Sequence, residues 1–382
     1  MKIAKINYFS CALCYLLAGT ALAGDGGHAT ITEIPTPSPL SLPQGLDVAQ
    51  DGSVFYTETA AGKIARLQGT HTREYALPKG ASPNIVKVAE EGVWFTDGGN
   101  AAIGLLNPES GEVSEYPLPS GAAPNFLQLG ADHAKWFTEP SGVGRLSASG
   151  VITEWHITLE KTDSHIEQLS IDPSGHVWFT ELNYDGVGAN GTNLVRRLDP
   201  ATNTVRAYPV PTFGGTPAGV TAAPSGHVWV SEYFAGKLAL LDPQAASFTS
   251  TTVAPNSGVA ARHSSGRTSP VSVVSPRTTT PTSPVTHNVS PAKSAGWLEF
   301  TIPAAGANAE DMRLSANGDL YFEEDGGFLG LLNPHLGTFV EYAIPSPNSG
   351  YYNIALREGV LYFAESGSFS AVPTKVGFLT IN

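Results

Sequence analysis

Short runs of alternating apolar and polar residues follow one another along most of the chain, separated by Gly, Pro, Asn and Asp. This alternation has a period of two, which is typical of β-strands with one buried face, and the separating residues are those that turns favour. The 3.6-residue period of amphipathic helices does not occur in the pattern. The chain is therefore predicted to be all-β and built from many short strands.

One of these runs is a four-residue aromatic phrase that ends in an acidic residue and recurs seven times. Successive copies lie about forty residues apart, and a single interval is about twice as long. The seven copies are Phe55–Glu58, Trp94–Asp97, Trp136–Glu139, Trp178–Glu181, Trp229–Glu232, Tyr321–Glu324 and Tyr362–Glu365.

Each repeat also contains three further strand-like runs, so that four short strands occupy one period. Four strands in about forty residues is the size of one propeller blade. We therefore predict one seven-bladed β-propeller of four-stranded blades over residues 24–382. The chain opens with a fourth-strand phrase at Thr30–Thr36 and ends with a third-strand phrase at Val376–Ile381. The N-terminal strand is thus expected to complete the last blade and close the ring.

Two segments fall outside the repeat. Residues 1–23 read as a signal peptide, with Lys2 and Lys5 before an apolar stretch and a small-residue cleavage site at Ala21–Ala23. A membrane anchor is the alternative reading of this stretch. The signal peptide predicts a location in the secretory pathway or outside the cell, and both cysteines lie within it. Residues 255–295 are rich in Ser, Thr and Pro, which predicts a disordered surface loop.

Net charge and sequence motifs limit the classes of ligand and cofactor that the chain is expected to bind. The formal net charge of −13 and the lack of a basic stripe exclude a nucleic-acid ligand. No later run is long and apolar enough to span a membrane. None of the motifs for nucleotide, dinucleotide or redox cofactors occurs, so no cofactor is expected. We expect a monomer, and the two sequons at Asn190 and Asn288 predict glycosylation.

Differences between the repeats indicate a site. The acid of the aromatic phrase occurs in all seven copies, so we interpret it as a structural hydrogen-bonding group between neighbouring blades. The residue at the start of each innermost strand varies instead, and these residues should ring one mouth of the central channel. They are Gln44, Asn84, Asn125, Glu167, Ala218, Glu310 and Tyr352. For each of them, a solvated side chain at the end of a loop is the alternative interpretation.

The chemistry of this mouth predicts a small, largely apolar natural-product ligand that carries a few oxygen atoms. Tyr184, Tyr233 and Phe328 would add an aromatic rim over the polar ring. His165 stands two residues before Glu167 and is the candidate acid or base. Glu310 and Tyr352 complete the predicted catalytic set, and the other mouth residues are predicted to bind substrate.

The repeated phrases resemble those of the streptogramin (virginiamycin B) lyases over nearly the whole chain after the leader. That resemblance implies a seven-bladed propeller that opens a lactone by elimination with the help of Mg²⁺. The family's two catalytic histidines correspond here to Glu310 and Tyr352, and its two glutamate positions correspond to Gly350 and Ser366. The general build is also similar to fungal propeller enzymes, the hetero-Diels–Alderases of tropolone–sesquiterpene pathways.

Three functions remain open at this point. The first is a cofactor-independent enzyme that makes or breaks a carbon–oxygen bond in a natural product, best matched by a hetero-Diels–Alder cyclisation. The second is a Mg²⁺-dependent lyase or lactone-opening enzyme with a rearranged site at Glu310, Glu365 and His165. The third is a secreted propeller that binds a ligand without catalysis.

Overall fold

The computed structural model describes residues 29–183, 194–304, 307–325, 327–346, 351–366 and 374–381. The expected signal peptide at 1–23 lies outside these residues. Seven antiparallel sheets and two short 3₁₀-helices, Thr59–Ala61 and Tyr233–Ala235, make up the regular structure that is described. None of the described helices has the length and apolar character needed to cross a membrane.

The first four blades each run from an innermost to a fourth strand, and strands are numbered in chain order. Blade 1 contains β2 (Leu46–Val48), β3 (Val54–Glu58), β4 (Lys63–Gln68) and β5 (His71–Ala76). Blade 2 contains β6 (Pro83–Ala89), β7 (Gly92–Asp97), β8 (Ala102–Leu106) and β9 (Glu112–Pro117). Blade 3 contains β10 (Leu127–Leu129), β11 (Lys135–Glu139), β12 (Gly142–Leu146) and β13 (Val151–His156). Blade 4 contains β14 (His165–Ile171), β15 (Val177–Leu182), β16 (Leu194–Asp199) and β17 (Thr204–Pro209).

The last three blades complete the ring. Blade 5 contains β18 (Pro217–Ala222), β19 (Val228–Glu232), β20 (Lys237–Leu241) and β28 (Trp297–Thr301). Blade 6 contains β29 (Ala309–Leu314), β30 (Leu320–Glu324), β31 (Phe328–Asn333) and β32 (Thr338–Ala343). Blade 7 contains β33 (Tyr351–Arg357), β34 (Val360–Glu365), β35 (Lys375–Ile381) and β1 (Ala29–Pro35). Each innermost strand contacts the innermost strands of the blades on either side, and β2 contacts β33, so the ring is closed.

Closure by the N-terminal strand is confirmed. β1 pairs antiparallel with β35 from Ala29, opposite Ile381, to Pro35, opposite Lys375. In blades 1 to 4 and 6 the third and fourth strands follow each other in the sequence, and in blade 5 a long inserted segment connects them; in blade 7 the two strands come from opposite ends of the described chain and are joined by hydrogen bonds. The boundary between β1 and β35 is called the seam below.

The aromatic phrase forms the second strand of every blade and explains the packing between blades. Its side chains alternate between the two faces of the sheet, so each phrase presents apolar groups to both neighbouring blades. The third strand places a glycine against the phenylalanine in several blades. A Cβ atom at Gly144 would lie 2.1 Å from the ring of Phe137, which is fully buried. Only a residue without a side chain fits against this ring.

The prediction of a disordered loop at 255–295 is wrong. This segment, together with the residues just before it, forms seven short strands and adds a fifth strand to each of the seven blades. The predicted four-stranded blades are thus five-stranded. The composition argument assumed that order requires buried apolar side chains, but this segment is held by backbone hydrogen bonds to strand edges that are already formed.

We call residues 249–294 the belt. Its strands are β21 (Thr249–Thr252), β22 (Pro255–Val259), β23 (His263–Arg267), β24 (Val271–Val274), β25 (Thr278–Thr282), β26 (Val285–Asn288) and β27 (Ala292–Ser294). They pair in turn with the fourth strands of blades 4, 3, 2, 1, 7, 6 and 5. The chain therefore leaves blade 5, travels once around the whole propeller and returns to blade 5.

Candidate functional site

In blades 1 to 5, a hydroxyl group on the second strand positions the start of the innermost strands. The third residue of the aromatic phrase accepts a hydrogen bond from its own innermost strand and donates one to the next blade. Thr138, for example, accepts from the N–H of Phe126 and donates to the carbonyl oxygen of Glu167, both at 2.9 Å. The same donation joins Thr57 to Asn84, Thr96 to Asn125, Thr180 to Ala218 and Ser231 to Glu310.

Several innermost strands are irregular within their first residues. Blades 2, 4, 5, 6 and 7 each show a register shift within the first residues of the innermost strand. A bulge of this kind turns a side chain out of its regular direction. The varying residues predicted from the repeat therefore share one equivalent backbone position around the channel mouth.

Four of the predicted residues form one hydrogen-bonded chain across blades 2 to 4. The side-chain amide of Asn84 donates to the side-chain oxygen of Asn125. Asn125 donates to Oε1 of Glu167 at 3.1 Å, and Nε2 of His165 lies 2.9 Å from Oε2 of Glu167. The bond to Glu167 raises the pKa of His165, so the imidazolium form is favoured. His165 is therefore better suited to donate a proton than to accept one.

The opposite side of the mouth is acidic. Glu310, at the mouth position of blade 6, is 8% exposed. Burial, then the charges of Glu323, Glu167 and Asp325, raise its pKa well above the ordinary value. Because Glu167 belongs to the hydrogen-bonded chain of blades 2 to 4, the two halves of the mouth act on each other. Glu310 is consequently a neutral carboxylic acid that can donate a hydrogen bond or a proton.

Tyr233 extends this acidic side from blade 5. It follows the second strand of its blade, and its phenol donates a hydrogen bond to Oδ2 of Asp325 in blade 6. Asn308 donates to the same oxygen at 3.3 Å. Burial and the bond to Asp325 raise the pKa of the Tyr233 phenol, so it too keeps its proton.

Asp325 and Glu323 were not found by the sequence analysis. Glu323 occupies the position that holds Thr or Ser in blades 1 to 5, and its Oε1 accepts the N–H of Asp311 at 3.2 Å. Its Oε2 is buried without a partner among the described residues. Burial and the charge of Asp311 raise its pKa well above the ordinary value. This departure from the repeat was visible in the sequence, whereas Asp325 carries no sequence signal.

The remaining predicted residues are distributed as follows. Gln44 lies at the mouth position of blade 1 and donates its backbone N–H to Thr57 at 3.2 Å. Phe328 begins the third strand of blade 6, outward from the mouth ring. Asn288 is exposed on belt strand β26. The side chain of Tyr352, and all of Tyr184 and Asn190, lie outside the described residues.

The acids of the aromatic phrases form a separate, deeper set. The expectation was a bond between neighbouring blades, but in blades 1, 2, 3, 5 and 6 the acid instead interacts with the acid on the fourth strand of its own blade. In blade 3, the hydroxyl of Ser120 bridges Glu139 and Glu154 at 2.8 and 2.9 Å. In blade 4 the second acid is replaced by Ala207, and Arg196 pairs with Glu181 at 2.5 Å instead. These pairs lie inside the blades and serve the fold.

Fold and site together define a class of protein: a seven-bladed propeller with a cluster of polar and acidic side chains at the start of its innermost strands. The sequence profile described as the Virginiamycin B lyase family matches residues 29–253. This chain belongs to that family.

Individual relatives support the assignment. A virginiamycin B lyase of Nocardia farcinica is 32% identical over 201 residues, which is 52% of this chain and 66% of that protein. The alignment thus falls just short of two thirds of the relative's length. The virginiamycin B lyase structure from Staphylococcus aureus has a TM-score of 0.69 at 21% identity, covering 93% of this chain and all of that one. A catalytically inactive variant of that enzyme with quinupristin has a TM-score of 0.68 at 22% identity, covering 93% and 100%.

The family resemblance implies magnesium, and the described residues do not fit it. Among them, no group of three or more His, Cys, Asp or Glu side chains has the geometry to hold a metal ion. Ser366, at one of the family's glutamate positions, is buried. The glutamate position at Gly350 lies outside the described residues. No step of the chemistry below is therefore assigned to a metal.

Proposed function

We propose that this protein is an enzyme that makes or breaks a carbon–oxygen bond in a natural product, using hydrogen-bond donors at the channel mouth and no cofactor. Family membership supports carbon–oxygen chemistry, because the named relatives are lyases. The observation that carries the proposal is the buried carboxyl of Glu310, which lies among four other acidic groups, Glu323, Glu167, Asp325 and Asp311.

The mouth residues include three groups that can donate a hydrogen bond. The pKa values of Glu310, His165 and Tyr233 are all raised, which favours the protonated, hydrogen-bond-donating form of each. Donors fixed in advance stabilise negative charge that develops on a substrate oxygen, and they act most strongly where water is excluded. An ester or ketone carbonyl, or a leaving oxygen, is the group they suit.

For cleavage by elimination, one residue would act as the base and another as the acid. A carboxylate such as Asp325 takes a proton from carbon, the released electron pair forms a double bond, and the carbon–oxygen bond breaks. The leaving oxygen then receives a proton from Glu310 or His165. This elimination consumes no water, and the proton taken from carbon is matched by the proton given to the leaving oxygen.

A hetero-Diels–Alder cyclisation is the second candidate, and one observation favours it. The carboxylates of Glu167 and Asp325 already accept hydrogen bonds, from Asn125 and His165 in one case and from Tyr233 and Asn308 in the other. A cycloaddition needs no base. Holding both partners together supplies most of the acceleration, and a donor on the carbonyl oxygen of the heterodiene adds to it.

The experiment compares two substrates with and without EDTA. Quinupristin reports lactone opening, and an α,β-unsaturated ketone paired with an electron-rich alkene reports cyclisation, both followed by mass spectrometry. Turnover should survive EDTA. Glu310→Leu should lower kcat by roughly 100-fold, the size expected for one lost donor. Loss of turnover with EDTA, or full activity in Glu310→Leu, would overturn the proposal.

Glu310→Gln separates the two reactions. The amide still donates a hydrogen bond but cannot transfer a proton, so a cyclising enzyme should keep most of its rate and an eliminating one should not. His176→Asn is the matched control, because His176 is bonded to Asp172 at the opposite end of the blade.

A further inference from the structure

The belt is inserted into a turn that is complete without it. In blade 5, the N–H of Asp242 donates to the carbonyl of Gly296 at 2.8 Å, and Ala246 donates to Asp242 at 3.0 Å. The corresponding turn of blade 2 is closed in the same way, by Gly111 donating to Asn107 at 2.8 Å. Residues 247–295 therefore enter and leave a standard blade turn.

The belt meets every blade in the same register. Each fourth strand has one equivalent position, which is an acid in six blades and Ala207 in blade 4. One belt residue lies opposite this position in every blade. The pairs are Glu74 with Val271, Glu115 with His263, Glu154 with Asn256, Ala207 with Thr249, Glu33 with Thr278, Glu341 with Val285, and Glu299 with Ala292. Seven equivalent pairings from one continuous segment indicate a matched repeat.

The corners between belt strands are also repeated. A backbone N–H at each of five corners donates to the turn between the third and fourth strands of a blade, at 2.7–3.1 Å. The donors are Val253, Ala260, Thr268, Ser275 and Val289; successive donors are about seven residues apart, except that the last interval is twice as long. Proline follows several of them, at Pro270, Pro276 and Pro291. Proline suits such a corner because it has no N–H that would need a partner.

Charge complementarity also favours the pairing of the belt with the fourth strands of the blades. Residues 247–295 contain no Asp or Glu and carry four cationic side chains, whereas the whole chain is net negative. The belt lies on fourth strands that present an acid in six of the seven blades. In blade 6, for example, Nε2 of His287 lies 3.0 Å from Oε2 of Glu341.

The belt covers the seam directly. β25 pairs with β1 from Ala29, opposite Thr282, to Glu33, opposite Thr278, so β1 is held between β35 and the belt. The hydroxyls of Thr32 and Thr279 lie 3.1 Å apart. The guanidinium of Arg277 lies 4.9 Å from the ring centre of Phe378 on β35, on the far side of β1.

We propose that the belt is a strap that holds the ring closed at its seam. Opening the seam requires β1 to separate from β35, and with the belt in place it must also separate from β25. Both ends of the belt are covalently fixed in blade 5, so β25 cannot slide away as a free end could. The strap thereby preserves the distances between mouth residues that come from different blades.

The first test deletes the belt. Joining Ala246 to Gly296 in the full chain removes residues 247–295 and leaves the complete turn of blade 5. Unfolding in denaturant should become at least roughly tenfold faster, because interactions formed late in folding act mainly on the unfolding rate. Backbone amides of β1 and β35 should exchange hydrogen faster than those of blade 3. Unchanged unfolding and exchange rates would overturn the proposal.

The second test does not depend on folding of the shortened chain. A site for a sequence-specific protease is inserted between Pro276 and Arg277, and the folded protein is cut there. The cut gives β25 a free end, so exchange at β1 and β35 should rise by at least roughly tenfold. The matched control has the same site in the exposed turn Pro173–Gly175, between the first and second strands of blade 4, where no belt corner is attached. Equal exchange at the seam after both cuts would contradict the strap.

Discussion

The acid pair of blade 6 gives a sharp prediction about pH. Glu324 is 0% exposed, and neither of its carboxylate oxygens has a hydrogen-bond partner among the described residues. Its neighbour Glu341 accepts from His287 of the belt and from the N–H of Ala304. Burial, and then the charge of Glu341, raise the pKa of Glu324 to about 8. The substitution Glu324→Gln removes this titration and keeps the shape.

The sign of the pH effect on stability follows from the numbers of protons bound by the folded and unfolded states. An unfolded glutamate titrates near 4.5, so between that pH and about 8 the folded state holds a proton that the unfolded state has lost. The contribution to stability is complete below pH 4.5, falls as the pH rises, and is gone above 8. Each pH unit in this window is worth about 1.4 kcal/mol, which gives at most about 5 kcal/mol in total.

The assay is the free energy of unfolding in urea, measured from pH 5 to pH 9. Wild type should lose stability across this range, and Glu324→Gln should lose less, with a slope smaller by up to about 1.4 kcal/mol per pH unit. At pH 9 the variant should be the more stable protein. Glu90→Gln, at an exposed turn, is the control and should follow wild type. Identical slopes in wild type and Glu324→Gln would refute the reasoning.

Three further outcomes are expected. Thr138→Val leaves the N–H of Phe126 and the carbonyl of Glu167 without their partner and should cost about 2–4 kcal/mol in urea unfolding; an unchanged value would contradict the role of this hydroxyl group. Gly144→Ala forces a methyl group against Phe137 and should cost roughly 1–3 kcal/mol, read as a lower melting temperature. Dialysis against EDTA should leave the melting temperature unchanged, and a fall would indicate a structural metal.

Much of the fold could be predicted because it is repeated. The aromatic phrase fixes the second strand of every blade, and the position of Thr30–Thr36 before the first blade predicts the closure that β1 makes with β35. The belt could not be predicted from composition, since its strands bury few apolar side chains. Its sequence signal is weaker and consists of a spacing of about seven residues between successive corners such as Ala260, Thr268 and Ser275.

For the site, the sequence predicted which residues lie together but not the protonation states of their side chains. Counting along the repeat correctly brought Asn84, Asn125 and Glu167 to one mouth, because equivalent positions in a repeat fold to equivalent places. It did not show that Glu310 is a neutral acid, since that depends on charges brought from other blades. Asp325 was missed because it lies in a loop whose conformation the repeat does not specify.

The circuit of the belt has a consequence for the order in which the protein can assemble. During synthesis the belt emerges before blades 6 and 7, so some of the strands it must pair with do not yet exist. Strand β26 pairs with β32, and β1 pairs with β35, so both pairings wait for segments that are made later. The belt therefore remains partly unpaired until β32 of blade 6 has been made, which places its full docking late in biogenesis.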